Sequence, residues 1–576
     1  MAARRTPRER QPAEETADQA AQVLAPEVGL LADADPVLFG RALSRAVGSV
    51  LRDPAALRHI GSKAAGELTR AAVATAGRAM GSRTPSDLVD AGDRRFADPS
   101  WDTNFWFFGL RALHTVTTHL LEGVVSRAGL DEVSARKAAF AASFLSDAFA
   151  PTNFMPTNPA ALKRALETGG WSLVRGAQHF LDDLVHNGGR PRQVDTSPFT
   201  LGENLAATPG KVVFRNDLME LLQYEPQTEE VHAVPLLASP PWINKYYVMD
   251  LAPGRSFIEW AVRHGHTVFA ISYRNPDETM GETRMDDYLV DGPRQALDVI
   301  AEITGADKVD IVGLCLGGAL TAMLVAYLAA VGDDRVNSIT LLNTMLDFSE
   351  PGPLGSFTDR ESVDRLEAKM ARRGYLAGRE MAGTFDVLRP NDLIFNYVVS
   401  NWLLGDSPPA FDILAWNADS TRMPATMHSF YLRSCYIDNA LARGDLELAG
   451  QLLDLKAVDC DAYIVAAEND HIVPWHSSYG STGLLGGDVR YVLSSAGHIA
   501  GIVNPPSPKA RFWVGEGDYP PDAESWRRTA QEHVESWWVD WSAWAAERSG
   551  PLGPPPPMGS KRHPPVGAAP GDYVLG

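Results

Sequence analysis

Three residues, met in a fixed order along the chain, could carry out covalent acyl chemistry. The first is Cys315, in Lys308-Val-Asp-Ile-Val-Gly-Leu-Cys315-Leu-Gly-Gly-Ala. An apolar stretch enters Gly313-x-Cys315-x-Gly317-Gly318 and continues straight into a second apolar stretch. This is the pattern of a nucleophile elbow with cysteine in the place of serine. A turn that sharp crowds its neighbours, and glycines on both sides leave room for it. The thiol would project from the tip of a strand at the start of a helix, where free N–H groups and the helix dipole favour a thiolate. The N–H of Leu316 would then point into an oxyanion site. Most cysteines are small buried core residues, and the strand before, the helix after and the paired glycines favour the chemical reading here.

Such a nucleophile needs an acid and a histidine, following in that order. A run over 462–467 ends in Glu468-Asn-Asp470-His-Ile-Val-Pro474-Trp. Asp470 is preferred to Glu468 because it lies in the loop and precedes a turn-forming proline. A run over 489–493 leads into Ser494-Ser-Ala-Gly497-His498-Ile-Ala-Gly501, which places a histidine in a glycine-flanked loop. His471 is the rival base, but a residue adjacent to Asp470 is poorly placed to donate the orienting hydrogen bond to it. With 14 histidines in the chain, His498 alone carries little. The order Cys315, Asp470, His498, each after a strand, carries the assignment.

The elements that must position these residues are legible after residue 198. Short β-rich runs at 231–238, 267–272, 308–312, 338–342, 462–467 and 489–493 alternate with helical patterns at 255–264, 288–304, 317–331 and 446–455. Such alternation implies a parallel sheet with crossover helices. The expected class is therefore α/β, an α/β-hydrolase fold. The interval 348–443 interrupts the alternation, is rich in aromatic residues and contains Pro408-Pro409. It reads as a cap over the site, with an ordinary helical elaboration as the alternative. Before residue 198 the pattern is helical from 36 to 184, with apolar spacings of three and four over 53–80 and 106–128. The expected organisation is a disordered 1–30, a helical domain at 31–200, a catalytic domain at 201–549 and a Pro/Gly-rich tail at 550–576 extended over the surface.

Composition narrows the partners. The 576 residues are 45% hydrophobic and 22% charged, ordinary for a chain with a substantial core. A formal charge of −20 argues against nucleic acid, which needs a basic surface. An anionic small substrate needs only a local basic patch. The candidates are the Lys369–Arg373 cluster, with Arg372 and Arg373, and Arg422; a solvated helix face and a structural ion pair are the competing readings. The three cysteines, Cys315, Cys435 and Cys460, suggest a reducing compartment without a disulfide framework. The first twenty residues carry both charges and no apolar signal core. The longest apolar run, over 319–331, is well short of the roughly 20 residues that span a bilayer. The expected location is cytoplasmic.

Longer strings carry a family resemblance. Asp93-Arg-Arg-Phe-Ala-Asp-Pro-Ser-Trp101, Pro151-Thr-Asn-Phe-Met-Pro-Thr-Asn158-Pro and Thr208-Pro-Gly-Lys-Val-Val-Phe-Arg-Asn216 resemble segments of the polyhydroxyalkanoate synthases. So do Pro240-Pro-Trp-Ile-Asn-Lys-Tyr-Tyr-Val-Met-Asp250-Leu and Trp416-Asn417-Ala-Asp419-Ser-Thr421-Arg422-Met-Pro424. The resemblance runs from about residue 93 to the end and is closest to the single-subunit type. It departs at the proline run Pro554–Pro557 and at Ala418, where members often carry a bulkier residue. It implies polymerisation of (R)-3-hydroxyacyl-CoA into polyester through a Cys315 acyl intermediate, with Asp470 and His498 as partners. It implies no metal and no cofactor, CoA being the leaving group. The second oxyanion N–H falls at Trp242 or Ile243, after the strand that usually supplies it. The implied partners are the growing polyester chain, the granule surface and a second copy in a homodimer. A thiol hydrolase or thioesterase of the same fold, or a non-catalytic granule-coat protein, are the rival functions.

Overall fold

The computed structural model describes residues 36–515, 517 and 519–576. The expectation for 1–30 lies outside the described residues. Two compact units emerge: Met1–Gln193 with Gly383–Pro409, and Val194–Ala382 with Ala410–Gly576. The segment Gly383–Pro409, from inside the interval read as a cap, clusters with the first unit.

The first unit is helical, with helices at Pro36–Arg52, Pro54–Ala79, Phe105–Arg127, Glu132–Ala148, Pro159–Glu167 and Trp171–His186. Four of these starts have a local cause. Asp53 accepts from the N–H groups of Ala55 and Ala56 with Pro54 in the first turn, and Asn104, Asp131 and Asn158 cap three others. The two N-terminal strings singled out in the sequence are structural in this unit. Arg95 bridges Asp93 and Asp147 at 2.7 and 2.9 Å. Trp101 is buried edge-on against Phe96, with ring centroids 4.9 Å apart. Asn158 donates to the carbonyl of Thr152 while capping its helix. Within the same unit the Trp402 indole donates to Asp183 at 2.8 Å, and Asn401 donates to the Arg192 carbonyl at 2.7 Å.

The second unit holds an eleven-stranded sheet. In chain order its strands are β1 (Gly210–Arg215), β2 (Met219–Tyr224), β3 (Leu236–Ser239), β4 (Val268–Tyr273), β5 (Val309–Leu314), β6 (Val336–Leu342), β7 (Asp461–Ala467), β8 (Val489–Ser494), β9 (Phe512–Val514), β10 (Gln531–His533) and β11 (Gly567–Ala568). The spatial order is β10-β9-β8-β7-β6-β5-β3-β4-β2-β1-β11. The six strands from β8 to β4 are parallel; the outer ones are antiparallel. The chain reverses direction across the sheet between β3 and β5, which opens a crevice beyond their carboxyl ends. Buried clusters cover both faces of the sheet, and the helix Leu316–Val331 is almost wholly inside. No helix among the described residues is long and apolar enough to cross a membrane.

Three expectations change locally. The run 231–238 contains two separate strands, Val231–His232 and Leu236–Ser239, broken around Pro235. The helix over 288–304 is interrupted where Gly292 leaves helical geometry (ψ −115°) ahead of Pro293. The helix expected over 446–455 is a hairpin, Glu447–Leu448 paired with Gln451–Leu452. Leu446, Leu448, Leu453 and Leu455 are all buried, a leucine spacing that suits either period. Ala449 and Gly450, both at positive φ (48° and 75°), make the two-residue turn.

Candidate active site

Cys315 occupies the turn between β5 and the helix Leu316–Val331 at φ 53°, ψ −113°, a conformation costly for any side-chain-bearing residue. The neighbouring glycines allow it. A Cβ on Gly313 would stand 2.6 Å from the Cα of Gly318, and one on Gly317 would stand 2.5 Å from the carbonyl oxygen of Pro240. The second contact matters because it lets the start of the nucleophile's helix close onto the end of β3. Leu316, the first residue of that helix, has an N–H with no acceptor inside it. Trp242 and Ile243 follow β3 in the chain, with Trp242 buried.

Asp470 and His498 meet after β7 and β8, with His498 Nδ1 and Asp470 Oδ2 2.6 Å apart. The other carboxylate oxygen of Asp470 accepts from the N–H groups of Ile472 and Val473 at 2.8 and 2.9 Å. The carboxylate is fully enclosed and the imidazole nearly so. Burial disfavours a charge on His498, but the Asp470 carboxylate, the Cys315 sulfur beside it and hydrogen bonds to both push it up to about 10. With Nδ1 on Asp470, Nε2 is left for Cys315. Glu468, the rival acid, is paired with Arg527 at 3.4 Å.

The strand ends tie this group together. The N–H of Cys315 donates to the carbonyl of Leu342 at the end of β6, at 2.8 Å. The next residue, Asn343, sits at φ 42°, donates its N–H to Val465 in β7 and donates its side-chain amide to the carbonyl of His498. Sequence reading missed Asn343; its only signal was a polar residue directly after an apolar strand.

A cluster of aromatic rings, also missed residue by residue, reaches the sulfur through Tyr431 and Tyr436. Tyr431 and Tyr436 are both close enough to Cys315 to be affected by its charge, and both hydroxyls are pushed above their usual range by burial first. Phe348 stacks edge-on against Tyr431 and Tyr436 at 6.0 and 5.0 Å, and Trp242 against Tyr431 and Tyr288 at 5.7 and 5.9 Å. The aromatic richness of 348–443 was the signal.

The other two cysteines differ in kind: burial pushes both Cys435 and Cys460 up to about 12. The candidate basic residues are mostly occupied. Arg373 and Lys369 both pair with Glu380, at 3.0 and 2.8 Å. The Arg422 guanidinium donates to the carbonyl of Pro276 and lies over the Tyr375 ring. Arg372 is exposed and has no ion pair among the described residues.

Comparison with known proteins adds the following. The family described as "Poly-beta-hydroxybutyrate polymerase (PhaC) N-terminus" matches residues 92–261, and "alpha/beta hydrolase fold" matches residues 241–505. A poly(3-hydroxyalkanoate) polymerase of Methylorubrum extorquens is 42% identical over 539 residues, covering 93% of this chain and 89% of that protein. The poly(3-hydroxyalkanoate) polymerase subunit of Rhizobium meliloti (strain 1021) is 45% identical over 78% of this chain and 74% of its own length. That of Cupriavidus necator is 41% identical over 84% of this chain and 83% of its own length. Among solved structures, the monoacylglycerol lipase of Paleococcus ferrophilus aligns with TM-score 0.33 and 14% identity, over 57% of this chain and 98% of that one.

Proposed function

The chain belongs to the poly(3-hydroxyalkanoate) polymerase family, and from that premise we propose that it polymerises (R)-3-hydroxyacyl-CoA through an acyl group held on Cys315. The observation that carries the reading is the Asp470–His498 pair beside a half-buried cysteine at an elbow beneath an aromatic cover.

In this mechanism the thiol proton of Cys315 passes to His498, whose charge Asp470 stabilises. The thiolate attacks the thioester carbonyl, a new C–S bond forms, and the oxyanion is received by the N–H groups of Leu316 and of Trp242 or Ile243. Collapse expels CoA, which leaves with the proton from His498. The 3-hydroxyl of another acyl unit then gives its proton to His498 and attacks the held acyl group; an ester bond forms and the cysteine is released. Exchange between thiols is near thermoneutral, so the acyl group keeps its transfer potential while it waits. No cofactor enters, since CoA is only the leaving group. The ring of Trp242, Tyr288, Phe348, Tyr431 and Tyr436 keeps water from the acyl group, which favours a polymerase over a thioesterase. Arg372 is the strongest of the candidate cations for the CoA phosphates.

The further partners in this reading are the polyester granule surface and a second copy of the chain. Large apolar side chains on the first unit support the former: Leu166, Trp171 and Val185 are 83%, 66% and 71% exposed.

The test is incubation with (R)-3-hydroxybutyryl-CoA, following thiol release and the product. The expected result is CoA with insoluble polyester, and no CoA release from Cys315→Ala. Free 3-hydroxybutyrate without polymer would establish the thioesterase instead, and turnover by Cys315→Ala would remove the cysteine from the mechanism.

A further inference from the structure

Two of the strings singled out in the sequence, 240–251, which holds the proposed second oxyanion donor, and 416–424, which has no part in that chemistry, are bound together by the fold. The hydroxyl of Thr421 donates to the carbonyl of Trp242 at 3.2 Å. Asn244 and Ser420 form an isolated antiparallel bridge. The indole of Trp416 donates to the carbonyl of Lys245 at 2.8 Å. Asp419 takes Lys245 Nζ at 2.9 Å on one oxygen and the hydroxyl of Tyr247 at 3.0 Å on the other. A third segment closes the assembly, because Lys245 Nζ also donates to the carbonyl of Val574 at 2.6 Å.

The energetics of that lysine are informative. Lys245 is 8% exposed, and a buried ammonium is retained only where partners offset its desolvation. It has one carboxylate and one carbonyl. Residues 572–574 are in turn held from β2: the enclosed Glu220 carboxylate accepts from the N–H groups of Asp572 and Tyr573 at 2.9 and 3.0 Å. The tyrosine hydroxyl of the same segment donates to the carbonyl of Asn216 at 2.6 Å. The residues that follow β3 are therefore tied to the distant segment 416–421 and, through Lys245, to the carbonyl of Val574. A surface loop needs none of this; a loop whose N–H must meet an oxyanion does, since about 1 Å of misplacement can cost on the order of 100-fold in rate.

We infer that Asp419 and Lys245, closed by the Val574 carbonyl, are positioning residues that hold the Trp242–Ile243 backbone as the second oxyanion donor. They touch neither substrate nor sulfur; they act through the loop. The inference rests on the reading of Cys315 as the acyl carrier and of this loop as the donor.

The experiment separates two uses of the same thiolate. Alkylation of Cys315 by iodoacetamide needs the thiolate but no oxyanion site, whereas attack on a thioester needs both. In Asp419→Asn, the alkylation rate is expected to stay within about twofold of the parent. CoA release from (R)-3-hydroxybutyryl-CoA should fall in kcat by roughly 10- to 100-fold, approaching the loss of one oxyanion donor, with KM little changed. Lys245→Met should do the same, and the double variant should be no worse than the poorer single one, since both act through one loop. Unchanged kcat in both single variants overturns the inference. So does a parallel fall in alkylation and acyl transfer, which would mark a general loosening of the site. Failure of the functional reading itself would show separately, as Cys315-independent CoA release by the unmodified protein.

Discussion

At the residue scale, the imidazole of His498 is set by what surrounds it. Its raised affinity for a proton comes from Asp470 and Cys315 acting against burial. Asp470→Asn removes one of these two charges, so the pKa of His498, followed by NMR titration of its ring proton, is expected to fall from about 10. The sign on stability follows. A group whose folded-state pKa is raised stabilises the fold fully below its unfolded pKa of about 6.5, and the effect is lost as pH rises through the folded value. The variant should therefore be less stable than the parent at pH 6 to 8, with the gap narrowing as pH rises from about 6.5 and closed by about pH 10. A gap that stays constant across that range would mean His498 is not the group responsible. Cys315, Asp470 and His498 could be named from sequence because each follows an apolar run in a required order; Asn343 could not, since its role depends on a carbonyl 155 positions away.

At the scale of elements, the strand ends decide how the site is held. Asn343 joins β6 to β7 through its N–H and reaches the His498 loop through its side chain, from a left-handed backbone that asparagine tolerates better than most residues. Asn343→Ala breaks a buried hydrogen bond, about 1–3 kcal/mol. Alanine at that φ adds a further penalty of about 1 kcal/mol. The expected outcome is a fall in the urea midpoint with unchanged m-value, together with a lower kcat; unaltered activity would show that the His498 loop keeps its position without this tie. The hairpin at 447–452 illustrates the opposite case. Its leucines fit a helical face as well as a strand alternation, and the choice between them was made by the Ala449-Gly450 turn and the core it packs against.

At the scale of the whole molecule, a histidine enclosed as a neutral group makes the fold sensitive to acid. His266 is buried with neither ring nitrogen hydrogen-bonded among the described residues, 4.9 Å from the His232 ring and 5.5 Å from Trp541. Burial first, then His232 and His264, push it down to about 3. In the unfolded chain it takes a proton near pH 6.5. Stability is therefore lost as pH falls from 6.5 towards 3, by up to about 1.4 kcal/mol per pH unit for this one group. In His266→Phe the slope of unfolding free energy against pH over this range should flatten. An unchanged slope would assign the acid sensitivity to other groups.

The sequence by itself determined the class of fold and the candidate residues for the chemistry. Apolar periodicity is local, the elbow needs its glycines within five residues, and the order of nucleophile, acid and base is a property of the chain alone. It also placed helices in the first unit, because caps such as Asp53 and Asn158 lie next to what they cap. What only the tertiary structure decided depends on closure over distance. Gly383–Pro409 clusters with the first unit although it is flanked on both sides by the second. The outer strands β1, β2, β9, β10 and β11 find their places by pairing with partners up to about 350 residues away. The Lys245 clasp unites 245, 419 and 574. No local pattern encodes such meetings, since each exists only once the sheet has brought the three segments to one end.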